Sequence, residues 1–109
     1  KDHSQSVISF VRKGKEPHDL LVVVVNFTPV VRYDYRIGVP VRGTYKEVFN
    51  SDYKEWGGSG QGNLTALTSE AVPWHNQAQS ITVTLPPLAA VFFRLERVHD
   101  AGSGKGLRE

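Results

Sequence analysis

The sequence predicts an all-β fold, an antiparallel β-sandwich of about seven to eight short strands with Greek-key connections. Three observations carry that prediction. Gly and Pro divide the chain into short runs rich in Val, Ile, Tyr and Phe. One of these runs, "SITVTLP" (Ser80–Pro86), alternates apolar and polar residues at the two-residue period of a strand. No window longer than about ten residues keeps a 3.6-residue apolar period, so no helix is expected.

The elements follow in order. "VISFVRK" (Val7–Lys13) opens the set and is closed by the turn residues "GKEPH". "LLVVVVNF" (Leu20–Phe27) comes next and stops at Pro29. In "RYDYRIG" (Arg32–Gly38), Tyr33, Tyr35 and Ile37 alternate with Arg32, Asp34 and Arg36. "TYKEVFN" (Thr44–Asn50) leads into the Gly-rich stretch "NSDYKEWGGSGQGN". "SEAVPW" (Ser69–Trp74) is expected as a short edge strand, because Pro73 has no N–H to give to a ladder. In Ser80–Pro86, Ile81, Val83 and Leu85 should face inward while Thr82 and Thr84 face out. "AAVFFRLE" (Ala89–Glu96) closes the fold. Residues 7–97 are thus read as one domain, residues 1–6 as the end of a linker, and residues 98–109 as a disordered tail with almost nothing to bury.

Leu20–Val25 breaks the alternation. All its residues are apolar, so both faces of that strand want cover. Leaving its outward side chains in water would forgo about 1.5–3 kcal/mol for each. Either long neighbouring side chains shield that face, or the sheet docks on another body.

Composition narrows the function classes. A chain of 109 residues makes one domain and can bury roughly two-thirds of its unfolded surface. It has no Cys, which removes disulfides, thiolate nucleophiles and sulfur-bound zinc. That usage is compatible with a reducing cytoplasm, the expected location. The formal charge of +2 is small and its cations are scattered, so no nucleic-acid partner is expected. No apolar run approaches the ~20 residues of a membrane span, and no signal pattern opens the chain, so no membrane partner is expected either. The chain begins at Lys1 rather than Met, which suggests a fragment or a processed product.

The motifs of catalysis are missing. His3, His18, His75 and His99 are far apart and none has the i, i+4 spacing of a helical metal site. No GxSxG elbow or phosphate-binding Gly-rich loop is present. Asp52 and Glu55 flank the loop aromatics, but glycosidase chemistry needs two carboxyl groups fixed about 5–5.5 Å apart or wider, and this loop offers no rigid frame. "NFT" at Asn26 and "NLT" at Asn63 match the N-glycosylation pattern, a short match that is discounted without a secretory signal. No metal or cofactor is expected, and no residue here is assigned a catalytic role.

Three stretches carry a resemblance. "NFTPVVRYDYRIGVP" (Asn26–Pro40), "NSDYKEWGGSGQGN" (Asn50–Asn63) and "ITVTLPPLAAVFFRLE" (Ile81–Glu96) resemble, in order, segments of the bacterial 1,4-α-glucan (glycogen) branching enzymes of the α-amylase superfamily. "VISFVRKGKE" fits the opening strand of the same region. The resemblance covers Val7 to Glu96. It implies the C-terminal β-sandwich of a larger enzyme whose (β/α)8 barrel cleaves an α-1,4 link and transfers the freed segment to a 6-hydroxyl. By the same resemblance, an aspartate nucleophile and a glutamate acid/base on that barrel do the chemistry. Neither motif occurs in this chain, which should be inert alone.

Two roles then compete. In one, the sandwich packs on the catalytic barrel of the same parent chain, with Leu21, Val23, Val25, Tyr33 and Tyr35 as candidates for the docked face. That predicts an exposed apolar patch of several hundred Å² on the domain alone. In the other, Tyr53, Trp56 and Trp74 form a stacking platform for α-glucan. Packing is the preferred reading for Tyr53 and Trp56, since aromatics often anchor interfaces. An adhesion or receptor sandwich is disfavoured by the missing signal and by the ordered motifs.

Overall fold

The computed structural model describes residues 7–16, 18–52, 62–63 and 65–99. Among these residues seven antiparallel strands form: β1 (Val7–Lys13), β2 (Leu20–Asn26), β3 (Arg32–Val39), β4 (Gly43–Asn50), β5 (Leu67–Thr68), β6 (Gln79–Leu85) and β7 (Ala89–Val98). They make a five-stranded sheet of order β1-β2-β7-β4-β5 and a two-stranded sheet of β3 and β6. β7 is inserted between β2 and β4, so the chain crosses repeatedly between layers, as a Greek-key sandwich requires.

One core lies between the sheets. Leu20, Val22 and Val24 of β2, Tyr45 of β4, and Val91, Phe93 and Leu95 of β7 face Ile37 and Val39 of β3 and Ile81, Val83 and Leu85 of β6. Thr82 and Thr84 alternate outward between the buried Ile81, Val83 and Leu85, as their pattern predicts. Tyr45 is wholly buried and donates its hydroxyl proton to the Val41 carbonyl at 2.7 Å. A buried hydroxyl without that acceptor would cost about 1–3 kcal/mol.

Several boundaries differ from the sequence expectation, each for a local reason. Ser69–Trp74 is not a strand: the two-residue β5 ends before it at Thr68, and its pairing is limited to isolated bridges from Glu70 to Ser80 and from Trp74 to Gln77. Trp74 instead begins a tight turn, exchanging two 2.9 Å backbone hydrogen bonds with Gln77. His75 and Asn76 at its centre have φ of 50° and 64°, the two positive values of a type I′ turn. β2 ends at Asn26 because the Asn26 Oδ1 accepts from the Thr28 N–H at 3.0 Å, an Asx turn that leaves the ladder. β7 runs on to Val98, and His99 still bonds the Arg42 carbonyl at 2.9 Å and Thr44 Oγ1 at 2.8 Å. Residues 1–6 and 100–109 lie outside the described residues.

β3 carries a bulge. Its register against β6 shifts between Arg32 and Tyr35, and Asp34 has a φ of 51°. The extra residue breaks the expected alternation: Tyr33 is exposed while Tyr35 packs partly against the core.

Candidate docking surface

The aliphatic run of β2 resolves into two faces. Leu20, Val22 and Val24 point into the core, which leaves Leu21, Val23 and Val25 on the outside of the five-stranded sheet. Antiparallel register places neighbours beside each of them. Phe10 of β1 and Phe92 of β7 flank Val23, and Ile8 and Ala90 flank Val25. Phe92 in turn stacks at a tilt on Phe49 of β4, with ring centroids 4.9 Å apart. The outer face is therefore apolar across four strands.

Part of its cover comes from the sheet itself. Val23 is only 7% exposed, yet the residues that shield it are themselves in water: Phe10 is 46% and Ile8 54% exposed. The exposure has been passed outward rather than removed. Past the strand ends, exposed Phe27 lies between buried Asn26 and Thr28, and exposed Leu88 precedes buried Ala89. A groove of about 390 Å³ opens on this face, floored by Phe10, Leu21, Val23 and Phe92 and edged by Arg12 and Lys13. Exposed apolar side chains thus adjoin one another on one side of the domain.

The candidates are divided by this geometry. Leu21, Val23 and Val25 share the outer face, whereas Tyr33 and Tyr35 belong to β3 in the opposite sheet. Ile8, Phe10 and Phe92 are the residues that sequence reasoning missed. The signal was present in the paired apolar residues Val7-Ile8 and Phe92-Phe93, each of which must offer one side chain to either face.

Of the aromatic platform, Tyr53 and Trp56 lie outside the described residues. Trp74 is 43% exposed on its rigid turn. Its ring already has company: the His75 ring lies 5.8 Å away and the Arg36 guanidinium 6.0 Å from its centre. Arg36 is held in place by Glu70 at 2.9 Å and the buried Ser80 hydroxyl at 2.6 Å.

The two glycosylation-like asparagines are structural. Asn26 is buried; its Nδ2 donates to the Val30 and Pro86 carbonyls, and its Oδ1 accepts from the Thr28 N–H and hydroxyl. Asn63 pairs its amide with the Thr84 backbone, accepting from N–H at 2.8 Å and donating to C=O at 2.9 Å. It also gives two hydrogen bonds to Glu47 Oε1, while Asn50 Nδ2 donates to Glu47 Oε2 at 3.2 Å. Ser51 is tied to Ala90 of β7 by two more bonds. Both feet of the Gly-rich loop are thereby clamped to the sandwich. Asp52 sits at one foot, with its N–H on Asn50 Oδ1 at 2.8 Å, and Glu55 lies outside the described residues. Among the described residues no group of three His, Asp or Glu side chains could hold a metal ion, and no helix could cross a membrane.

Comparison with known proteins places this architecture. The family model for the alpha amylase C-terminal all-beta domain matches residues 1–96. Curated relatives include proteins named 1,4-alpha-glucan branching enzyme GlgB. The one from Halothermothrix orenii is 54% identical over 93 residues, covering 85% of this chain and 15% of the relative. That of Aquifex aeolicus is 48% identical over 95 residues, covering 87% of this chain and 15% of the relative. That of Rubrobacter xylanophilus is 54% identical over 93 residues, covering 85% of this chain and 13% of the relative. The chain thus spans only about a seventh of these relatives' length. A seven-strand sandwich matched by the family model along nearly its whole length belongs to the alpha-amylase C-terminal all-beta domain family.

Proposed function

We propose that this chain is the C-terminal accessory domain of a 1,4-α-glucan branching enzyme, and that it packs its five-stranded sheet on the catalytic (β/α)8 barrel of the same polypeptide. The parent would cleave α-1,4 links and transfer the segment to form α-1,6 branches in glycogen biosynthesis. The likeness of about half the residues to proteins named as branching enzymes supports the identity of the parent. The observation that carries the docking role is the outer face of Leu21, Val23 and Val25, widened by Ile8, Phe10 and Phe92. Burying Ile8 and Phe10 fully would recover on the order of 1 kcal/mol each. In this role the domain covers apolar barrel surface and fixes the shape of the glucan-binding side of the enzyme; it contributes no catalytic residue and no cofactor. The reaction would run in the cytoplasm, where the parent acts on glycogen.

The experiment compares the full-length enzyme with one truncated before Val7. Removal of the sandwich should lower the barrel's melting temperature and its branching rate together. An undiminished melting temperature in the truncated enzyme would refute the packing role.

A second reading, surface binding of α-glucan by Tyr53, Trp56 and Trp74, is favoured by one feature. Trp74 presents its indole from a rigid two-residue turn and keeps 43% of its surface in water. Titration with maltoheptaose, followed by tryptophan fluorescence, tests it. Silence at tens of millimolar sugar would retire that reading.

A further inference from the structure

One row of the outer face does not fit a purely apolar contact. Register aligns Arg12 of β1, Leu21 of β2, Arg94 of β7 and Lys46 of β4 across the sheet. Three of those four positions are cationic, and Arg94 stands directly opposite Lys46. Like charges at directly opposed positions of an antiparallel pair repel, and a sheet built only for its own stability would place a carboxylate at one of them. All three cations are exposed, and none forms an ion pair among the described residues. Among the described residues the carboxylates at this end are Glu96, two positions along β7, and Glu16 and Asp19 in the β1–β2 turn. Arg12 also edges the apolar groove, together with Lys13.

We infer that the Arg12–Arg94–Lys46 row is a carboxylate-binding strip that orients the sandwich on the catalytic portion of its own polypeptide. The inference rests on the docking reading above and names the chemistry of the partner: an acidic cluster beside an apolar projection that enters the groove. Two features select that occupant. Among the described residues no ion pair compensates the charge of the row, and the relatives carry more than four-fifths of their length outside the matched region. An apolar strip alone permits sliding along the strands. A charged row across one end fixes direction and register, which is what interfacial charge does best.

Oxidative footprinting of the full-length enzyme tests this, reading Phe10 against two internal references. Exposed Tyr33 on the opposite sheet normalises the dose, and buried Tyr45 reports an intact fold. The variant Arg12→Glu, Arg94→Glu, Lys46→Glu reverses the row, and Arg42→Glu in the β3–β4 turn controls for charge reversal outside the row. The wild type should protect Phe10, and reversal should raise its labelling about fivefold or more, with Tyr45 unlabelled and Arg42→Glu silent. Salt near 1 M, where screening acts within about 3 Å, should move Phe10 the same way. Protection that survives both reversal and salt would overturn the strip while leaving the docked face standing. A Phe10 already unprotected in the wild type would overturn the docking reading, and the strip with it.

Discussion

Asn26 and Pro86, sixty positions apart, are joined by a 2.9 Å hydrogen bond from the Asn26 Nδ2 to the Pro86 carbonyl. That bond ties the turn after β2 to the turn before β7, and Leu88 reinforces it by donating its N–H to the Thr28 carbonyl at 2.9 Å. The segments "NFTPV" and "LPPLA", which read as separate motifs in the sequence, are therefore two sides of one buried polar joint. Asn26→Ala would strand the Pro86 carbonyl and the Thr28 N–H and hydroxyl away from water. The expected loss is about 2–4 kcal/mol of unfolding free energy, measured by urea denaturation. Asn26→Asp should not rescue it, because a carboxylate cannot donate to the Pro86 and Val30 carbonyls. A loss under about 0.5 kcal/mol for Asn26→Ala would remove this joint from the account of the fold.

Gly38 makes the second prediction. It is buried in β3 beneath the Trp74–Gln77 turn, where an added Cβ would collide with the Trp74 carbonyl oxygen and stand 3.0 Å from Gln77 Cγ. Gly38→Ala must lift the turn or bend the strand, at a cost of about 1–3 kcal/mol. Because the turn carries Trp74, the same substitution should shift the tryptophan emission spectrum of the native state. Unchanged stability with unchanged emission would show that the turn does not rest on β3.

These two sites show what the sequence could and could not say. The strands were legible where one face is wet, as in Ile81, Val83 and Leu85, because burial there imposes a strict period of two. The same logic failed at Tyr33 and Tyr35, since a bulge at Asp34 changes parity without changing composition. The tight turn at His75-Asn76 was missed because it lacks the Asn-Gly pair that usually marks positive φ at two successive positions. For the docking face, the run Leu20–Val25 announced that two sides need cover. It could not reveal that Phe92 lies beside Val23, because β7 reaches β2 only through a crossover of more than sixty residues. The charged row was invisible for the same reason: Arg12, Arg94 and Lys46 become neighbours only through register.

Tyr45 predicts a pH dependence. Its phenol is wholly buried, and desolvation by that burial pushes its pKa up from 10.0 to about 12. The raised value fixes the sign. Below pH 10 the group is neutral in the folded and unfolded chains alike, and its contribution is fully present. As pH climbs from 10 toward 12 the unfolded chain releases the proton while the folded one keeps it, so stability falls, by up to about 3 kcal/mol. Tyr45→Phe should begin about 1 kcal/mol less stable at neutral pH, having lost the bond to Val41. It should then lose less than the parent above pH 10, and the gap between the two should close. Parallel stability curves for the two proteins through that window would mean that Tyr45 does not titrate with unfolding.

The outer face makes the last prediction, which depends on context. Phe10 is 46% exposed in this chain, so about half of its surface remains to be buried by whatever covers the sheet. Phe10→Ser in the 109-residue chain should cost about 1 kcal/mol, the value of the contacts it already makes with its neighbours on β2. In the full-length enzyme the proposed docking would bury the second half of the side chain too, so the same change should cost roughly twice that. Calorimetry of both proteins provides the comparison, and Val24→Ser supplies the contrast. Val24 is wholly buried within the sandwich, so its replacement should be equally damaging in both settings. The ratio of the two costs for Phe10 therefore measures docking separately from folding. A ratio of one would mean that Phe10 stays in water in the assembled enzyme, and that the apolar strip on β1, β2 and β7 has another use.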